Sequence, residues 1–471
     1  MLFLLFGIVG CQLAIGFWVA RRIHNSDDYL VAGRRLGFGL ATASIFATWF
    51  GAESCLGAAG SAYEHGVSIL TTEPFAYGLC LILLGLFFAV RLHGAGITTL
   101  ADLFARRFGT STERIAAIVL LPSSLLWAAA QVRAFGHVVA ANADGAMSAE
   151  TATAIAAAVA IAYTVSGGLL ADVYTDVLQG AVLLLGLAVL GVAVAMNHDA
   201  TAPAAATAAT VELLTGSHAS HPDVLSVVEA WAIPLCGSIV AQEVLSRCLA
   251  AKSPSIARRA AITGGLIYLV AGAVPLTIGA IGPDLAPGLD DPEGLLPHLS
   301  SELLPAALNA VFACALISAI LSTVDSCLLV AAAIFTRNLL PRPAAVTAAR
   351  SDSLGVARAA AAAAGLIAYG LACTDWNVKE LVEQASGFGS GGVFVLAVFG
   401  VHTRIGGERA ANTCLLAGLT TWVACSYVFP DHVAHPYLLS LAAALGGFAI
   451  GSRLDRTANV PPRSGPAKLR P

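Results

Sequence analysis

Charge is what this chain has least of: Asp, Glu, Lys and Arg make up 11 % of its 471 residues, against about 25 % in soluble domains. That scarcity excludes an ordinary water-soluble domain. A formal net charge of −4 carries no nucleic-acid signal. The ten cysteines stand singly, with no Cys-x-x-Cys pair and no zinc spacing, so buried free thiols are expected and neither disulfides nor metal clusters are. Metalloprotease spacings and nucleophile motifs are missing. An intramembrane enzyme would have to rest on Glu53, His65 and Asp325, and no enzyme is expected. The first apolar run, Leu2 to Ala20, lacks a basic leader and is followed by Arg21 and Arg22, which argues against a cleaved signal peptide. No soluble output module is expected, which weighs against the rival reading of a transporter-like solute sensor with little net transport.

What is present is apolar. Hydrophobic residues reach 57 % and mean hydropathy is +0.80, so the chain is expected to be an all-α polytopic membrane protein. Its 46 glycines and 20 prolines fit transmembrane helices, which accept both. Runs of about 20 apolar residues fall at 2–20, 37–61, 73–91, 114–141, 150–166, 176–196 and 227–249. Others fall at 259–282, 305–339, 356–373, 378–401, 410–429 and 436–452, about thirteen spans in all. With the amino end outside, Lys and Arg collect in alternate loops, as cytoplasmic loops require. These hold Arg21 to Arg35, Arg91 to Arg114, Arg247 to Arg259, Arg337 to Arg358, and Arg404 with Arg409, and the tail adds five more from Arg453 to Arg470; only Arg133 and Lys379 fall elsewhere. The charge pattern therefore predicts an inside carboxyl tail. Residues 199–223, flanked or joined by His198, His218 and His221, read as a solvated outside loop, and 454–471 as a disordered cytoplasmic tail.

One apolar run is interrupted. Between Leu36 and Tyr63, Phe50-Gly51-Ala52-Glu53 places a glycine and a carboxylate at bilayer depth, where an ionised group costs roughly 2.5 kcal/mol or more. Freed backbone carbonyls there need protein, water or an ion. The ninth span offers a complement: Ser318, Ser322 and Asp325 share one helical stripe, with Thr323 and Ser326 beside it. Two hydroxyls plus loose main-chain carbonyls suit a hard monovalent cation such as sodium, although single hydroxyls also bond between helices. The residues alone thus reach an ion-coupled membrane protein.

Four blocks go further: "DDYLVAGRRLG" with "ATWFGAES" at 27–54, "SGGLLADVYTDVLQG" at 166–180, "VLSRCLAAKS" at 244–253 and "AILSTVDSCLLVAAAIFTRN" at 319–338. In these the chain resembles the sodium/solute symporter family, including its proline and choline transporting members, over nearly all of residues 1–455. The resemblance implies a leucine-transporter-like five-plus-five inverted-repeat core at 36–401, with a first repeat at 36–196 and a second at 227–401. An extra helix at 1–20 precedes it and two more at 409–453 follow. It implies Na+ held by the carbonyls of Ala47, Phe50 and Ala319 and the hydroxyls of Ser322 and Thr323. Asp176 matches an acid that binds a second sodium in some members, and it also stands where it would cap the following helix.

For the solute, Trp49 and Ser54 occupy positions that are polar contacts in sugar-transporting relatives. Trp49 and Trp127 resemble choline transporters, whose aromatic faces hold quaternary ammonium by cation–π attraction. The place of a third tryptophan falls near Gly237. Pro234 and Gly237 predict a second unwound stretch around Leu235 to Ser238. Arg133 suits a carboxylate or pairs with Glu53. Gln131, Gln242 and Glu243 are ligands or interhelical glue. A small amino acid, zwitterion or quaternary amine fits, imported by alternating access. Ser386 to Gly392 reads as a gate hinge or as close helix packing.

Overall fold

A long apolar chain in lipid must satisfy its backbone internally, and helices do so within one segment. The computed structural model describes residues 2–21, 23, 25–141, 147–197, 223–340, 352–374, 376 and 378–457, and among them no strand forms. The expected loop at 199–222 with His198, His218 and His221 lies outside the described residues. So do Arg342, Arg350 and the tail from 458 onward, whereas 454–457 continue the last helix.

The helices are α1 Leu2–Ala20, α2 Ser26–Val31, α3 Phe38–Trp49, α4 Ala58–His65, α5 Phe75–Gly94, α6 Leu100–Arg107, α7 Thr110–Ala141, α8 Ala149–Asn197 and α9 Val224–Gly237. They continue with α10 Gln242–Ala250, α11 Pro254–Leu285, α12 Leu295–Leu303, α13 Ala306–Leu339, α14 Asp352–Ala372, α15 Val378–Gly387, α16 Ser390–His402, α17 Glu408–Val423 and α18 Pro436–Thr457. Among the described residues eight helices are long and apolar enough to cross a bilayer, or nine if the bent pair α9 and α10 is one span.

Two of these depart from the sequence expectation. The runs at 150–166 and 176–196 are not separated by a loop: both belong to α8, 49 residues kinked at Gly168, whose φ of 54° lies in the left-handed region. The break after α9 falls at 240–241, just beyond the stretch from Leu235 to Ser238. Proline perturbs the turn before itself, where its ring meets a carbonyl and its missing N–H leaves another unpaired. Pro234 accordingly sits inside a widened turn, Ile233–Gly237, and the helix leaves helical geometry only afterwards.

The core centres on α13. Its apolar window is 78 % buried, whereas those of α14 and α18 are 28 % buried and lie at the lipid-facing periphery. α13 packs against α7 and α8, and α3 packs against α8, α11 and α13. A short main-chain ladder ties the two broken helices together: Leu36 donates to the Ala250 carbonyl at 3.1 Å, and the Lys252 N–H donates to the Leu36 carbonyl at 2.8 Å. Nearby, α6 starts in a capping box of Thr99 and Asp102. Asn338 at the end of α13 donates to Asp102 at 2.9 Å and to Glu113 at 2.8 Å. Six of the ten cysteines are buried and all ten are unpaired.

Candidate sodium and solute sites

α3 stops at Trp49 because Phe50 turns out of the helix (φ −94°, ψ 78°), although its N–H still reaches the Phe46 carbonyl at 2.9 Å. Glycine is required next. A Cβ on Gly51 would stand 2.7 Å from Glu53 Oε2, 3.0 Å from Thr323 Oγ1 and 3.1 Å from Gln131 Oε1. Gln131 on α7 bridges the break: its amide oxygen accepts the Ala52 N–H at 3.0 Å, and its nitrogen donates to Glu53 Oε2 at 2.7 Å. The mid-span acid thus finds a neutral partner, and not Arg133.

The hydroxyl stripe of α13 meets this break. Thr323 donates to the Thr48 carbonyl at 3.0 Å and lies 3.3 Å from the Ala319 carbonyl. Ser322 and Ser44 each donate to one oxygen of Asp176. Ala47, Phe50, Ala319, Ser322, Thr323 and Asp176 are all buried, and the packing of α3 and α8 on α13 brings their elements to one place. Ser318 turns away toward Gln12 on α1, at 3.5 Å. Asp325 accepts from Thr164 at 2.9 Å.

Arg247 is the residue that sequence reasoning misplaced. Its charge assigned it to an inside loop, whereas the structure buries it completely. Its guanidinium bonds Asp172 and Ser326, lies 3.7 Å from Asp176 Oδ2, and donates through Nε to Ser44 at 3.3 Å. The reason is geometric: carboxylates one turn apart on α8 present oxygens to the fixed fork of arginine donors. The spacing of Asp172 and Asp176 was the available signal.

On the side of the break toward α4 lies a cavity of about 370 Å³ lined by Glu53, Glu73, Tyr77, Pro234, Glu383 and Trp422, among others. Trp49 lies 5.3 Å from Trp127 and 6.4 Å from Tyr77, which lines the cavity, between ring centroids, and its indole N–H has no partner among the described residues. Ser54 pairs with Tyr268 at 2.6 Å, and Tyr268 donates to Glu73 at 2.8 and 2.9 Å. Glu73 lies in the loop before α5; burial first, and then the neighbouring Glu53 charge, push its carboxyl up to about 8 against the opposing bonds from Tyr268 and Ser54. Sequence reasoning missed Glu73, Tyr77, Tyr268 and Trp422, because no local pattern links a loop acid to rings on three other helices.

Three expected ligands are engaged elsewhere. Arg133 donates to the Ala372 and Thr374 carbonyls at 3.1 and 2.6 Å, at the end of α14. Gln242 accepts from the Leu100 N–H at 2.7 Å and donates to the Thr98 carbonyl at 3.1 Å, fastening the start of α6. A Cβ on Gly237 would lie 2.5 Å from the Ser386 carbonyl, so that position has no room for a third ring. Ser238 is buried, and its hydroxyl lacks a partner among the described residues. Between α15 and α16 the chain turns at Gly389 (φ 65°).

Known proteins resemble this chain in sequence and in fold. The human high affinity choline transporter 1 is 30 % identical over 296 residues, covering 60 % of this chain and 50 % of that protein. The chain thus spans about half the length of the choline transporters it matches. The sodium/pantothenate symporter of Escherichia coli is 24 % identical over 441 residues, covering 91 % of this chain and 90 % of its own. A substrate-bound, outward-open Na+-coupled sialic acid symporter superposes with a TM-score of 0.81 at 18 % identity, covering 96 % of this chain and 97 % of its own. Mhp1, a nucleobase-cation-symport-1 family transporter, does so at 0.62 and 17 % identity, covering 91 % and 95 %. The fold is therefore that of the leucine-type transporters, and these relatives are transporters, not enzymes. The sodium:solute symporter family model matches residues 29–418, and to that family the chain belongs.

Proposed function

We propose that the protein is a sodium-coupled symporter that imports a small organic cation, of the quaternary amine class, by alternating access. One observation carries the reading: a side chain at Gly51 would meet both Thr323 on the sodium side and Glu53 on the solute side, so an ion at the break and a solute in the cavity would act on one backbone segment. Sodium is cargo here. The carbonyls of Ala47, Phe50 and Ala319 and the hydroxyls of Ser322 and Thr323 would hold it, since Thr323 already lies against two main-chain oxygens. By linkage, sodium that steadies the broken segment raises solute affinity, and solute raises sodium affinity by the same factor.

The cavity favours a cation. Glu53 and Glu73 line it together with the rings of Tyr77 and Trp422, Trp49 packs on Tyr77 and Trp127, and Arg133, the expected carboxylate partner, is held by α14. A choline transporter among the relatives has the same sense.

Thirteen crossings are part of this proposal. An α8 of 49 residues is about 74 Å long, against a hydrocarbon core of about 30 Å, so it would cross twice about Gly168. With the bent α9 and α10, and with α1, α3 joined to α4, and α17 added, the eight long helices become thirteen, amino end outside, in a cell membrane. The test is uptake of labelled choline into vesicles under a sodium gradient. Wild type should accumulate it only with sodium, and Ser322→Ala with Thr323→Ala should abolish the dependence. Sodium dependence unchanged in that variant would overturn the site.

A further inference from the structure

The ends of α5, α6 and α16 that carry arginines meet at one corner of the molecule, and no acid answers them there. Phe88 on α5 stands edge-on to His402, the last residue of α16, at 5.2 Å between ring centroids. Arg91 lies three residues beyond Phe88 and so shares its helix face. That places it beside His402, near enough for its charge to bear on the ring. The one bond Arg91 makes is to the Phe87 carbonyl of its own helix, at 3.1 Å. Arg404 stands two residues past His402. Arg107, at the end of α6, holds the chain just after it by donating to the Ile405 and Gly406 carbonyls at 2.9 and 3.2 Å.

Arg107 is only 4 % exposed, its guanidinium lies 4.6 Å over the Phe108 ring, and its Nε has no partner among the described residues. Burial first, and then the charge of Arg404, weigh against its protonated form. The acids of this end are used elsewhere. Glu408 accepts from the Ser111 hydroxyl at 2.7 Å, Asp455 accepts from the Gly407 and Ala410 N–H groups at 2.7 and 3.1 Å, and Asp102 lies 3.5 Å from Arg337. Among the described residues no carboxylate forms an ion pair with Arg91, Arg107 or Arg404. A buried cation without a counter-charge is costly, and a second cation beside it adds to the cost. The corner therefore favours an anion.

The adjoining surface says which kind. Leu86, Phe87 and Val90 on α5, and Ile405 next to Arg404, are all exposed, and α5 is one of the helices long and apolar enough to cross a bilayer. An apolar strip that ends in uncompensated guanidiniums matches a molecule with an acyl chain and an anionic head. Free phosphate would use the cations and leave the strip bare.

We propose that Arg91, His402 and Arg404 bind the phosphate of an anionic phospholipid whose chains run along Leu86, Phe87 and Val90 of α5. Guanidinium forks match phosphate oxygens, and basic pockets between helices on one side of a membrane suit such heads. Arg107 is a positioning residue: it fixes the backbone that follows Arg404. The inference needs only that the chain stands in a bilayer, and it is independent of the solute and sodium sites.

Binding of radiolabelled phosphatidylglycerol to the delipidated full chain in neutral detergent tests this. Wild type should bind one molecule, and phosphatidylcholine, with the same chains and a zwitterionic head, about tenfold more weakly. Arg91→Gln with Arg404→Gln should weaken phosphatidylglycerol about tenfold or more. Arg404→Gln alone removes no hydrogen bond or ion pair within the described residues, so it carries the test, with a severalfold loss, should the double variant fail to fold. Arg21→Gln with Arg35→Gln, which takes two arginines from another loop, should bind as wild type. Unchanged affinity in Arg404→Gln, an equal loss in the Arg21 and Arg35 variant, equal binding of phosphatidylcholine, or displacement of the lipid by an equal concentration of inorganic phosphate overturns the site.

Discussion

Glu73 lines the cavity beside Glu53, and on the proposed reading its charge bears on the solute. Its carboxyl, pushed up to about 8, is largely protonated at neutral pH and ionises as the pH rises. The ionised form attracts an organic cation, so solute affinity should strengthen severalfold between pH 7 and 8.5, and cation binding should release a proton. Glu73→Gln should flatten that profile, read as choline affinity against pH at saturating sodium. For folding the sign is opposite. A raised carboxyl contributes stability that is complete below its unfolded value of about 4.3 and lost as pH climbs through about 8. Glu53, by contrast, was legible from the sequence as an acid needing a reason, but its partner was not. Arg133 was the obvious counter-charge, and only the packing of α7 shows that Gln131 answers Glu53. Arg247 escaped for a related reason: a charge count assigns arginines to loops, whereas two carboxylates one turn apart on another helix can draw one inside.

At the scale of elements, the first break was readable because a glycine and a carboxylate coincide in an apolar run, and Phe50 to Ala52 is where α3 gives way. The second was displaced, since proline marks the turn before it and not the place where the chain unwinds. Arg133 belongs to this scale as well. It binds the last carbonyls of α14, where a helix end leaves acceptors unsatisfied and a cation is favoured. Arg133→Gln should therefore cost about 1–3 kcal/mol of stability, read as a lower midpoint of thermal unfolding in detergent. The Michaelis constant for solute should stay as in wild type; a large rise in it would return Arg133 to the solute site.

Across the whole molecule, composition and the alternation of basic loops were enough to predict a helical, many-spanning chain, and the blocks at 27–54, 166–180, 244–253 and 319–338 its resemblance to this family. They were not enough to separate a kinked helix from two helices with a loop. Gly168 hides that distinction, because the polar residues from Ser166 to Asp176 read as a connection between two apolar runs, whereas they lie inside one helix kinked at a single left-handed residue. The central position of α13 was readable in its hydroxyls. The sorting of those hydroxyls among α1, α3 and α8 was not, because it depends on which neighbour each stripe meets.

On the proposed reading, the ladder between Leu36 and the end of α10 would set how leaky an idle carrier is. Two main-chain bonds contribute about 1–3 kcal/mol net, which is about 5- to 150-fold in the ratio of sealed to unsealed molecules on the side where the arginine loops lie. A carrier without solute would then seldom open that side, and little sodium would slip through unaccompanied. Leu36→Pro deletes the donor to the Ala250 carbonyl. Sodium flux into vesicles without solute should rise severalfold in that variant, while solute accumulation per sodium falls. The same two bonds that order a few residues at the rim would thus govern how tightly the energy of the gradient is kept for work.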